Sequence, residues 1–290
     1  MRLSRKGKPW RRSKEVSAPL INFEALPIND PAGAAYGALV DRVRLDLDRD
    51  GCAVVKNVLT PAGLAALVAE AEGASVHAHR SYNRTNPYFT KDDPDLPVDH
   101  PSRRFFDRSN AFIPADSFAK SGPLRRIHDH PGFDGFVRAC LQEESFYRYA
   151  DPLADVIVKM AGEGPGFPWH FDTNNYTVTL AIQNAAGGGA FEYAPNIRRR
   201  DENFEEVARV LDGTSDKVTV LELEPGDLQI FKGRYSLHRV APLKGKRPRY
   251  VAIFSYVEEP DMVASPERCK QLYGKVLPVH YERAGLRADR

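Results

Sequence analysis

The stretch PWHFDTNN, residues 168–175, sets His170 and Asp172 two positions apart, beside an aromatic residue and two asparagines. On a β-strand, residues i and i+2 project from the same face, so both side chains can point into a barrel. Alone, the pair reads equally well as a hydrogen-bonded polar turn. A third partner has to come from a distant strand that lies alongside. His238 fits, following EPGDLQIFKGRYSL and preceding RVAPLKGKRPRYVAIFSY. Two histidines and one carboxylate on one side of an ion form a facial triad, the usual mark of a non-haem Fe(II) oxygenase. Such a triad leaves positions for O2 and a chelating co-substrate.

A 2-oxoglutarate co-substrate would take two of those positions through its C1 carboxylate and keto oxygen. Its far carboxylate then needs a cation deep in the barrel, where arginine offers a planar two-donor fork. Arg249 heads the apolar strand RYVAIFSY and shares a face with Val251, Ile253 and Ser255. Arg247 competes for the role, but Pro248 favours it on the turn.

The texture around these residues is that of a β-domain. FYRYADPLADVIVKMAG, YTVTLAIQN, GAFEYAPN, DKVTVLELEPGDLQIFKG and RPRYVAIFSYVEE are short runs rich in Val, Ile, Thr, Tyr and Phe. Turn residues such as Gly187-Gly188-Gly189 and Pro225-Gly226-Asp227 separate them. One helical insert, RDENFEEVARVLDG, interrupts. The expected class is mainly β with α (α+β), a jelly roll with its core over about 145–258. Upstream, AAYGALVDRVRLDLDRDG reads as an amphipathic helix stopped by Gly51. A short strand, CAVVKNVL, follows, and TPAGLAALVAEAEG is a helix capped by Thr60 with Pro61 at its first position. Residues 81–122 are rich in Pro, Asp, Asn and Ser, an irregular segment that is either a lid over the site or a surface excursion.

The chain has 290 residues, 42% hydrophobic and 28% charged, with a net charge of +2. That charge is too mild to indicate a nucleic-acid partner. The first 20 residues form a basic tail, with seven Lys or Arg before the first acid, and residues 21–290 are expected to form one domain. No apolar stretch follows the tail, so it is no secretory signal, and no run is long enough to cross a membrane. Cys52, Cys140 and Cys269 are odd in number and far apart, which favours a reducing, cytoplasmic setting. The pairs His77/His79 and His128/His130 lack a partner carboxylate and a cation-bearing strand and read as surface or helix-end residues, while His100 and His280 have no informative context. No hydrolase elbow, P-loop or dinucleotide fingerprint appears.

Several segments resemble a known family. HFD, His238 and Arg249, together with DGCAVVKNVLTPAGLAALVAEAE, look like the Fe(II)/2-oxoglutarate dioxygenase superfamily. NPYFTKDDPDLPVDHP, YADPLADVIVKM, GGGAFEYAPNIR and FKGRYSLHRVAP resemble its branch of amino-acid radical halogenases and their hydroxylase relatives. The resemblance implies a double-stranded β-helix, cupin-like, with N-terminal helices packed on it. It implies Fe(II) on His170, Asp172 and His238, with 2-oxoglutarate and O2 as co-substrates and Arg249 as the anchor. Halogenases of this branch carry glycine at the Asp172 position, which opens a site for chloride. A carboxylate there favours hydroxylation.

The lysine-acting members use acids to hold substrate ammonium groups. One such position is Thr173 here, and another aligns with Arg148. Arg148, Thr173, Asn174 and Asn175 are the candidate substrate contacts, and an arginine in place of an acid suits an anionic group on the substrate. A structural ion pair at Arg148 is the equal alternative. The expected activity is hydroxylation of an unactivated C–H bond in a free or modified amino acid, releasing succinate and CO2. The alternatives are an oxygenase acting on a nucleotide or nucleic acid, and a non-catalytic jelly-roll sensor of metal or 2-oxoglutarate.

Overall fold

The computed structural model describes residues 18–283. Helix α1 (Ala34–Asp50) closes on Gly51, whose φ of 64° is left-handed and whose N–H bonds to the Leu47 carbonyl. Strand β1 (Cys52–Val55) leads to α2 (Pro61–Ala74), where Thr60 accepts a hydrogen bond from the Gly63 N–H and Pro61 opens the first turn. Most of the expected basic tail, residues 1–17, lies outside the described residues.

Strands β2 (His79–Thr85) and β3 (Phe106–Ile113) pair antiparallel from His79 opposite Phe112 to Thr85 opposite Phe106. Residues 81–122 are therefore not irregular throughout. β2 is the outermost strand of a sheet and turns Arg80, Tyr82 and Arg84 to solvent, so it needs no apolar run. Only the stretch between the two strands is a long excursion. Helices α3 (Pro123–His128) and α4 (Phe133–Leu141) come next. Strands β4 (Tyr147–Arg148), β5 (Val156–Ala161), β6 (Phe167–His170), β7 (Thr177–Gln183), β8 (Gly187–Gly188) and β9 (Phe191–Ala194) precede α5 (Phe204–Leu211), the expected helical insert. Then follow β10 (Thr219–Leu221), β11 (Leu228–Phe231), β12 (Leu237–Val240), β13 (Leu243–Lys244), β14 (Arg249–Phe254) and β15 (Tyr256–Val257). Helices α6 (Pro266–Tyr273) and α7 (Pro278–Glu282) complete the order.

Two antiparallel sheets make the jelly roll. One has seven strands in the order β1-β11-β7-β14-β5-β3-β2, the other four in the order β10-β9-β12-β6. Period-two alternation divides the central strands of the large sheet cleanly. Val178, Leu180 and Ile182 of β7, Leu228 and Ile230 of β11, Tyr250, Ala252 and Phe254 of β14, and Val156 and Val158 of β5 join the core built with α1, α2, α3 and α4. The intervening residues, Thr177, Thr179, Gln229, Phe231, Arg249, Val251, Ile253 and Lys159, face a cavity that the small sheet closes with His170, Phe191 and His238. The helices thus cover one face of the large sheet, and the other face is left for chemistry.

The helical side holds an unusual buried group. His128, at the end of α3, is fully buried and stacks on Phe254 at 5.4 Å between ring centroids. Neither ring nitrogen has a hydrogen-bond partner, and Asp129 Oδ1 at 3.8 Å is too distant to serve. Burial, reinforced by the charge of Arg148, pushes the imidazole down to about 3. The unfolded chain takes up a proton near pH 6.5 that the folded chain refuses, so His128 costs stability as pH falls from about 6.5 toward 3. A His128→Phe variant should lose less of its urea midpoint between pH 7.5 and 5 than the parent. An equal loss in both would refute this account of His128.

Candidate metal centre

His170 and His238 are directly opposed in register where β6 pairs with β12. A register shift between His238 and Val240 places an extra residue on β6. Such a bulge re-aims side chains, and here Phe167 and His170 both line the cavity although they are three residues apart. Asp172 lies just past the strand end. Phe171 N–H bonds to the Pro87 carbonyl and Asp172 N–H to the Gly233 carbonyl, which pins the carboxylate between the excursion after β2 and the turn after β11.

The three side chains converge. Asp172 Oδ1 is 3.7 Å from His170 Nε2 and 3.5 Å from His238 Nε2, and one ligand atom from each residue lies within 4.8 Å of the others. His170 Nδ1 donates to the Pro168 carbonyl at 2.8 Å and His238 Nδ1 to the Ser236 carbonyl at 2.9 Å. Those bonds fix the tautomer and leave each Nε2 lone pair directed at the shared space. Thr177 Oγ1 donates to Asp172 Oδ2 at 2.6 Å, leaving Oδ1 as the inward oxygen. Burial, then the neighbouring His238, lowers His170 well below its usual range, so the ring is neutral. Burial alone would raise the Asp172 carboxyl; His238, His170 and Thr177 outweigh it and hold the group below the usual carboxylate range. Two imidazole Nε2 atoms and one ionised carboxylate fit Fe(II). A second buried group, Asp151, Cys269 and His280, also has metal-like composition. Its carboxylate is already occupied by the Leu153 and Ala264 N–H groups and by His280 Nε2, so it reads as a structural node.

Arg249 lines the same cavity from β14 and is 8% exposed. Its guanidinium has no carboxylate partner among the described residues, and burial pulls it down to about 10, still charged near neutral pH. It is suited to a dianion such as 2-oxoglutarate, whose far carboxylate it can meet while the metal holds the other end. Of the expected substrate contacts, Thr173 and Asn174 line the opening beside Asp172. Arg148 does not line it: its three nitrogens go to Asp134, Asp129 and the His128 carbonyl, because β4 faces the α3–α4 corner. Asn175 is also outside, with Oδ1 3.5 Å from Arg234 Nη1. Trp169 points to the opposite side of β6, packed with Phe171, Ile197 and Val207.

Three cavity residues escape the motif search. Arg108 of β3 sits over Phe89 and Phe167, 4.4 and 4.3 Å from their centroids, and its Nε is buried without a partner. Lys159 Nζ lies 3.1 Å from the Phe167 centroid. Arg268 of α6 closes the far wall. A lysine facing inward from the apolar run VIVKMA was the legible signal. Arg108 and Arg268 have none in sequence.

A jelly roll carrying two histidines and a carboxylate beside an unpaired buried arginine defines the class of 2-oxoglutarate-dependent oxygenases. A family model described as Halogenase D matches residues 38–273, and the chain belongs to that family. Solved structures share the fold at low identity. The α-ketoglutarate-dependent carbocyclase SnoK from nogalamycin biosynthesis is 12% identical, with a TM-score of 0.54, over 76% of this chain and 85% of its own. AviO1 from Streptomyces viridochromogenes is 18% identical, with a TM-score of 0.51, over 78% and 95%. EctD from S. alaskensis, solved with 2-oxoglutarate and 5-hydroxyectoine, is 16% identical, with a TM-score of 0.51, over 82% and 84%. A comparison with curated proteins returns no match. No helix among the described residues is long and apolar enough to cross a membrane.

Gly233 shows how tightly the carboxylate is seated. A β-carbon there would overlap Asp172 Oδ2. A Gly233→Ala variant should bind Fe(II) or Co(II) at least about tenfold more weakly in an anaerobic titration while keeping its thermal midpoint. Unchanged metal affinity would show that Asp172 is not held by this contact.

Proposed function

We propose that the protein hydroxylates an unactivated C–H bond of a free or modified amino acid, using Fe(II), 2-oxoglutarate and O2 and releasing succinate and CO2. The observation that carries this reading is Asp172. Its family is described by halogenation, and in the halogenases that the sequence resembles the same position is a glycine. Here an ionised carboxylate, braced by Thr177 and closed in by Gly233, occupies the third protein ligand position beside His170 and His238. In this reading the carboxylate takes the position that a halide would need.

The remaining residues have definable tasks. Bound iron supplies the oxidising chemistry. The Pro168 and Ser236 carbonyls hold the two imidazoles in the ligating tautomer. Arg249 takes the distal carboxylate of 2-oxoglutarate by charge-assisted hydrogen bonds. Phe89, Phe167, Phe191 and Phe231 lie within 5.7 Å of one or other histidine ring, centroid to centroid, and exclude water from it. Thr173 and Asn174 present polar groups to a substrate held beside the metal, outside its ligand set.

A panel of amino acids and N-acyl amino acids, assayed for succinate release with mass spectrometry for the gain of one oxygen, tests the reading. Asp172→Ala should abolish product. Arg249→Gln should raise the KM for 2-oxoglutarate by about 10- to 100-fold, the worth of a lost charge-assisted hydrogen bond. Chlorinated rather than hydroxylated product from the parent protein would overturn the proposal.

A further inference from the structure

The opening beside the metal centre is lopsided in charge. Arg108, Lys159 and Arg268 line it together with Tyr149, Ser255 and Asn174, and among the described residues Asp172 is its one acid. Half-buried arginines elsewhere are paired: Arg125 with Asp155, Arg148 with Asp129 and Asp134, Arg239 with Glu192. Arg108 and Arg268 have no such partner among the described residues, yet they face one cavity. They are close enough that the charge of Arg268 adds to burial in pulling Arg108 down to about 9. Asp172 offsets part of this but is committed to the metal position, and like charges held together are a standing cost that an anion between them removes.

The fold seats the Arg108 side chain and fixes the backbone from which Arg268 reaches. Arg108 is sandwiched between the Phe89 and Phe167 rings. Arg268 rides on α6, where Ser265 caps the helix by accepting from the Arg268 N–H at 3.2 Å. On another face of α6 the buried Cys269 Sγ approaches Asp151 Oδ2 at 3.8 Å, and Asp151 also accepts from the Ala264 N–H and His280 Nε2. That node ties α6 to the segment before β5 and leaves Arg268 on the cavity side. Pre-organised guanidinium groups recognise carboxylate and phosphate oxygens at little entropic cost.

We propose that Arg108 and Arg268 form a clamp for an anionic group on the substrate, a carboxylate or a phosphate. Every free amino acid brings one carboxylate, but two guanidinium groups, with no acid beside them except the metal ligand to receive a side-chain ammonium, favour a second anionic group. The substrate is then an acidic or a phosphorylated amino acid, and not one with a cationic side chain. The inference rests on the oxygenase reading above and names its substrate class. A side-chain ammonium would meet the Arg108 and Arg268 guanidinium groups there, and no acid except the metal ligand itself.

Equilibrium binding to the anaerobic protein loaded with Fe(II) and saturating 2-oxoglutarate tests the clamp without turnover. The probes are L-glutamate, O-phospho-L-serine, L-lysine and L-norleucine. At least one anionic probe should bind ten times or more tightly than lysine and norleucine, and the better of the two distinguishes carboxylate from phosphate. Arg268→Gln should remove that preference, Arg268→Lys should retain part of it, and neither should change 2-oxoglutarate affinity. Lysine or norleucine binding as well as both anionic probes would overturn the clamp. So would a preference that survives Arg268→Gln. Loss of the clamp with succinate formation intact leaves the oxygenase reading standing, whereas no consumption of 2-oxoglutarate with any amino acid removes that reading itself.

Discussion

The antiparallel pairing of β6 with β12 is the constraint on which the site depends. It sets His170 directly across from His238, and the bulge beside them turns Phe167 toward the same cavity. A slip of one residue in either strand would send one imidazole to the Trp169 face, because side chains alternate along a strand. The backbone carbonyls of Pro168 and Ser236 belong to the same local geometry. Each lies two residues before its histidine and accepts the Nδ1 proton. Register, tautomer and ligand direction thus follow from one strand pair, and Asp172 is added by the turn that leaves β6.

Electrostatics then decides what the cavity can hold. Burying a charge without a partner is costly, yet Arg249 faces the metal cavity and Arg108 the opening beside it, with Asp172 as their one carboxylate. Burial with these two arginines pulls Lys159, which lines both, well below the usual lysine range. The cost is tolerable if the working state is the loaded one, in which anionic co-substrate and substrate enter among these cations. The rigid aromatic and aliphatic surroundings keep them from finding acids elsewhere. Lys159 lies against Phe167, and Arg108 is held between two rings.

Much of this was legible in the chain itself. Gly51, Thr60 and Pro61 mark helix ends by local chemistry that needs no tertiary context, and the structure uses them so. Period-two alternation in YTVTLAIQN and RYVAIFSY separates core from cavity residues, and it places Arg249 on the face of Val251 and Ile253. The placement of Arg108 and Arg268 was not legible, because each depends on long-range packing: β3 against β5, and α6 over the cavity mouth. Arg148 shows the opposite failure. Its sequence neighbourhood points to the site, but β4 pairs with β15 and turns the guanidinium to Asp129 and Asp134. The β2–β3 pair was hidden for a third reason, since an edge strand facing solvent carries little apolar signal.

The central claim is that His170, Asp172, His238 and Arg249 together bind Fe(II) and 2-oxoglutarate in one cavity. Absorption spectroscopy of the purified protein under anaerobic conditions tests it most directly. Adding 2-oxoglutarate to the Fe(II)-loaded protein should produce a weak visible charge-transfer band that saturates at one equivalent of metal and bleaches when oxygen is admitted. Absence of the band in protein shown to be folded and metal-loaded would contradict the account.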